Sequence, residues 1–161
     1  MNISENSRVW IYQSDRALTA LEEEKIAQIL TSFTDEWQAH GQQLAATFEI
    51  RYHRFIILIV DENNAGASGC SIDSSVKLIK KIEKEFNLNL FDRFNIAYKT
   101  EGAVKSCPRE EFETLISSGI VTENTIVFNN LVQTFADLNS KWEIPFKDSW
   151  HASLFGKLLP S

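Results

Sequence analysis

The chain has 161 residues, enough for one compact domain that buries roughly 68–70% of the surface its unfolded form exposes. Its composition, 43% hydrophobic and 24% charged with 6 Gly and 3 Pro, excludes collagen-like repeats, long disorder and a disulfide scaffold. Sixteen Lys and Arg against 22 Asp and Glu leave a formal charge of -6, which opposes the cationic surface that phosphate backbones and anionic lipid attract, so neither nucleic acid nor membrane is an expected partner.

The opening residues, Met1 to Asn6, have neither a basic nor an apolar run of the kind a secretory signal needs. Arg8–Gln13 is rich in β-branched and aromatic residues and reads as a first strand, broken by Ser14, Asp15 and Arg16. Thr19 followed by Glu22 is a capping box opening a long helix. Ile26, Leu30, Phe33 and Trp37 recur at 3.6-residue spacing along it, and Gly41 is the expected stop just past His40.

Residues 44–52 alternate apolar and polar, which predicts a half-buried strand. Residues 55–60 are apolar without alternation, as in a central strand covered on both faces, and the His53-Arg54 link predicts a hairpin. That apolar run is also far short of the roughly 20 residues a membrane span requires. A polar loop from Asp61 to Gly69 leads to a second helix through Val76, Ile79, Ile82 and Phe86, capped by Ser71 or Asp73. Phe94, Ile96 and Tyr98 alternate as a fourth strand.

Strand, helix, strand, strand, helix, strand is the split pattern of a ferredoxin-like α+β core. The expectation is therefore one domain over 1–161, with a βαββαβ core at about 7–100 and a C-terminal helix and strand extension at about 101–161. In the extension, Pro108 opens a helix with Phe112, Leu115 and Ile116 inward; residues 125–128 form a strand; and Leu131, Val132 and Phe135 lie on a short helix. Trp142, Phe146, Trp150, Phe155, Leu158 and Leu159 make the tail too apolar for solvent, so it lies across the core or in a protein partner, a second copy included.

Placing the first and third strands parallel at the centre of the sheet brings their exits to one edge. Gln13, Ser14 and Asp15, then His40, residues 61–71, and Asp92 with Arg93 would converge there. Within that set Asp61, Asn63, Asn64, Gly66, Ser68, Gly69 and Ser71 are the expected small-ligand residues, since glycine-rich loops and helix starts present free amides. A plain turn and cap explains the same residues. Cys70 beside a helix start is a candidate nucleophile, with His40 as base and Arg93 as anion partner, although buried packing is the commoner fate of a free thiol.

Two cysteines, Cys70 and Cys107, form no Cys-x-x-Cys pair and point to reduced thiols in the cytoplasm. His40, His53 and His151 share no ligand spacing, so no metal is expected, and no motif calls for a cofactor. Gly156-Lys157-Leu158 lacks both the leading glycine and the hydroxyl of a Walker A loop.

The segments Ser7 to Gln13, Trp37 to Gly41, Phe48 to Ile50 with Arg54 to Leu58, Gly69 to Asp73, Thr125 to Leu131 and Ser149 to His151 together resemble a family of small uncharacterised bacterial proteins over nearly the whole chain. That family often carries the label "ABC transporter ATPase". The resemblance implies a bacterial cytoplasmic protein and no catalytic assignment, because the Walker A loop and the Leu-Ser-Gly-Gly-Gln signature are both missing here. The leading expectation is a non-catalytic ligand-binding or interaction domain. A thiol enzyme using Cys70 is the alternative, and an ATPase-related accessory protein is disfavoured.

Overall fold

A computed structural model describes residues 3–160. In chain order the elements are β1 (Arg8–Gln13), α1 (Ala20–Glu36), β2 (Gln38–Ala39), β3 (Gln42–Gln43), β4 (Ala45–Arg51), β5 (Phe55–Asp61), α2 (Gly69–Phe86), β6 (Asn95–Thr100), β7 (Ala103–Pro108), α3 (Arg109–Ser117), β8 (Ile126–Phe128), α4 (Phe135–Ser140), β9 (Glu143–Pro145) and α5 (Trp150–Phe155). The architecture is α+β with antiparallel sheets. The chain divides into two compact units: the first runs through Phe91 and takes back Gln133–Ala136, and the second holds Asp92–Val132 and the chain from Asp137 onward.

In the first unit the sheet order is β1-β5-β4. β5 is antiparallel to both neighbours, with Arg8 opposite Val60 and Ala45 opposite Asp61, which overturns the parallel pairing expected of the first and third strands. The physical reason lies in the connections. Helix α1 returns the chain so that β4 runs in the direction of β1, and the tight hairpin at Tyr52-His53 then reverses β5 between them. Residues 55–60 are all buried, as the unbroken apolar run predicts.

The sheets do not have the ferredoxin-like order, because the expected fourth strand, β6, belongs to another sheet. Glu101 and Gly102 both adopt left-handed backbone angles, a tight turn that pairs β6 with the strand immediately after it. The free edge of β1 is taken instead by Gln133–Ala136. Thr134 bridges to Arg8, the Val9 amide donates to the Gln133 carbonyl (2.9 Å), and Phe135 donates to the carbonyl of Ser7 (2.8 Å). The short helix expected across Leu131 to Phe135 accordingly begins only at Phe135.

Both helices pack on the sheet through one core of Ile26, Leu30, Ile56, Leu58, Ile79 and Ile82. Thr19 and Glu22 make the predicted capping box, and the Arg16 guanidinium grips Glu22 at 2.8 Å, holding its carboxyl down to about 2. Helix α1 stops at Glu36, four residues before the expected end, because Trp37 turns extended. Gly41, at φ 78° behind His40 at φ 51°, serves the β2–β3 hairpin rather than a helix cap. The cap of α2 is Ser68, with Ser71 as its reciprocal partner.

In the second unit the order is β7-β6-β8-β9. Strands β7 and β9 were not foreseen: β7 alternates only weakly and β9 is three residues long. Pro108 precedes α3 as predicted, with Phe112 and Ile116 buried. The apolar tail joins this unit's own core, with Trp142, Phe146 and Phe155 at most 2% exposed. Cys107 is buried there as well.

Candidate functional site

The antiparallel register separates the residues expected to meet. The exit of β1 lies beside the start of β5, whereas Asp61 lies beside Arg8 and Ala45 at the sheet's other end. One edge therefore joins Gln13, Ser14 and Asp15 to the Tyr52–Arg54 hairpin, and the loop of residues 61–71 belongs to the opposite edge.

At the first edge the backbone is strained. Tyr52 (φ 56°) and His53 (φ 53°) are consecutive left-handed residues without a glycine, the geometry a primed turn demands. Tertiary bonds hold it: the Leu18 amide donates to the His53 carbonyl at 2.6 Å, and His53 Nδ1 lies 2.6 Å from Glu23 Oε2. The next residue, Arg54, is buried; its guanidinium donates to the Ser14 carbonyl at 3.4 Å, and burial lowers its pKa although Asp15 opposes the shift. Sequence reading treated Arg54 as hairpin link only, since burial of an arginine leaves no periodic signature.

At the second edge the loop satisfies much of its own backbone. Asp61 Oδ1 accepts from the Asn63 amide (3.0 Å), and Glu62 Oε2 accepts from the Ala67 amide (2.8 Å) and lies 3.1 Å from where a Cβ on Gly66 would stand. Ser68 and Ser71 exchange the capping-box bonds at 3.2 and 2.7 Å. Asn63, Asn64, Gly66 and Gly69 are exposed, Asp61 and Ser68 half-buried, and Ser71 buried. The carboxylate of Glu62 thus occupies a position where an anion would look for amides.

Cys70 is exposed in the first turn of α2. His40 is exposed at the β2–β3 turn, and β2 packs beside α2, where Trp37 Nε1 donates to the Ser71 carbonyl at 2.9 Å. Arg93 is exposed and belongs to the second unit. No cluster of three metal-ligating side chains occurs among the described residues.

Sequence reading missed a groove along the helix layer. The start of α1 lies beside the end of α2, where Arg16 donates to the Phe86 carbonyl (2.8 Å), and the Trp37–Ser71 bond ties the other ends, so the helices run antiparallel. Between them lies a concavity of about 480 Å³ lined by Gln28, Ile29, Ser32, Phe33, Glu36 and Leu78. Ile29, Phe33 and Leu78 are its apolar floor and stay half-exposed. Phe33 is backed by Trp37 at 5.0 Å, which in turn meets Trp10 edge-on at 6.0 Å. Gln28, Ser32 and Glu36, four residues apart, set a polar row along the same side of α1. The sequence carried no signal for the groove, because Ile29 falls at i+3 in the ordinary core-facing pattern of Ile26, Leu30 and Phe33.

Among the described residues, three groups in the second unit have displaced titrations, the pKa of the Tyr98 phenol being raised by burial. Burial, reinforced by the charge of Glu111, pushes the Cys107 thiol up to about 11, and burial pulls His151 down to about 4. His151 Nδ1 and the neighbouring Trp150 Nε1 are buried with no hydrogen-bond partner among the described residues, their rings stacked at 3.8 Å.

No family model, curated protein or solved structure matches the chain.

Proposed function

We propose that this chain is a non-catalytic binding domain that engages its target through the α1/α2 groove. One observation carries the reading: a concavity of about 480 Å³ whose floor of Ile29, Phe33 and Leu78 is apolar and whose rim of Gln28, Ser32 and Glu36 is polar. The concavity is shallow and open to solvent along most of its surface, so it suits an apolar face laid against it better than an enclosed small molecule. Nile red, a neutral apolar dye, tests it at micromolar protein. Saturable fluorescence enhancement is expected in the native chain and a severalfold loss in Leu78→Lys, while equal enhancement in both would remove the groove from consideration. The free thiols Cys70 and Cys107 support a cytoplasmic setting, and the bacterial origin implied by the family resemblance belongs to the same proposal.

A thiol enzyme is the second reading, favoured by one feature: Cys70 is exposed at the start of α2, the helix beside which the His40 hairpin packs. Iodoacetamide at pH 8 is expected to modify Cys70 alone, because Cys107 is 3% exposed and its thiol is pushed up to about 11. An alkylation rate at Cys70 that is ordinary for a free thiol and unchanged in His40→Ala excludes the enzyme; a fast rate that falls in that variant replaces the binding reading.

A further inference from the structure

We propose that the α1/α2 face is where two copies of this chain meet, each laying its α1 across the other's α2. The inference rests on the groove reading above and names its occupant. The two helices carry opposite charge. The exposed side of α1 carries Glu24, Asp35 and Glu36 against one lysine, Lys25. The last turn of α1 therefore holds acids where the helix dipole favours cations, and it has no basic residue to offset them. The exposed side of α2 carries Lys77, Lys80, Lys81 and Lys84 against Asp73 and Glu85. Acidic and basic helices lying side by side are complementary to themselves when turned over.

The turn can be specified. A two-fold axis along the groove stacks α1 of each copy on α2 of the other and preserves their direction, whereas an axis across the groove stacks α1 on α1, acid against acid. Within one copy the start of α1 is level with the end of α2 and its end level with the start of α2. Across the favoured axis Glu24 therefore comes level with Lys84, whereas Asp35 and Glu36 come level with Asp73, with Lys77 one turn away. Ile29, Phe33 and Leu78 close on their counterparts at the centre, so a hydrophobic middle is flanked at one end by two symmetry-related Glu24–Lys84 pairs, an apolar centre with a charged rim.

The area sets the strength. Helices of 17 and 18 residues are about 25 Å long and about 10 Å wide, so the pair offers on the order of 500 Å² per copy. About 1,000 Å² in total lies at the lower limit for a specific interface, and the dimer is accordingly weak and concentration-dependent.

Sedimentation equilibrium of the full chain tests this with charge exchange. The native chain is expected to rise toward twice its monomer mass at high concentration. A variant with Glu24→Lys, and another with Lys84→Glu, should each weaken association about tenfold, since symmetry counts every altered contact twice. An equimolar mixture of the two restores both complementary contacts and should associate like the native chain, a recovery that also shows both variants to be folded. A native chain that stays monomeric at about 1 mM, or a mixture no better than its components, overturns the proposal. If Nile red still binds in that case, the groove serves another ligand and the binding reading survives; if the dye also fails, both fall.

Discussion

His151 shows what a single side chain contributes. Its ring is 2% exposed and its folded pKa lies at about 4 against an ordinary 6.5. As pH falls below 6.5 the unfolded chain takes up a proton that the folded chain refuses until about 4, so stability declines across that window by up to about 3 kcal/mol and is complete above it. In urea unfolding the native chain is expected to lose more stability between pH 7 and 4.5 than His151→Gln does. Parallel losses would show that the imidazole is not the group responsible. The sequence presented His151 as one of three unrelated histidines, and it concealed the burial because Trp150 and His151 sit on a helix of only six residues, too short for periodicity. Arg54 was hidden for a different reason: its environment is made by Ser14 and Asp15, forty and thirty-nine residues earlier in the chain.

Elements were more legible than residues. The capping box of α1, the alternating β4 and the unbroken apolar β5 are where local pattern placed them, since each is set by bonds within a few residues or by burial along one strand. Their weights differ. Thr19→Ala removes one cap and is expected to destabilise the first unit by about 1 kcal/mol, whereas Leu58→Ala, fully buried in β5, should cost about 2–5 kcal/mol. Calorimetry that ranked the two in the opposite order would contradict the placement of β5 at the centre. The stop of α1 was misread because Gly41 serves a hairpin, and a left-handed glycine looks the same in sequence whether it ends a helix or turns a strand, while the partner of β6 was hidden because β7 alternates only weakly.

For the whole molecule, the charge of -6 makes a prediction that needs no fold: at about 0.1 M salt the chain should pass through a phosphocellulose column unretained, and retention would mean that a basic surface such as the lysine face of α2 dominates its contacts. The sequence by itself determined composition class, the absence of phosphate-loop motifs, the capping of α1 and the burial of residues 55–60, because these depend on residue chemistry or on neighbours a few positions away. Only the tertiary structure decided that β5 opposes β1, that Gln133–Ala136 takes the free edge of β1, and that α1 and α2 leave a groove between them. Strand direction and edge occupancy follow from how connections of different length close, a contest among distant segments that hydrophobic spacing along the chain does not encode.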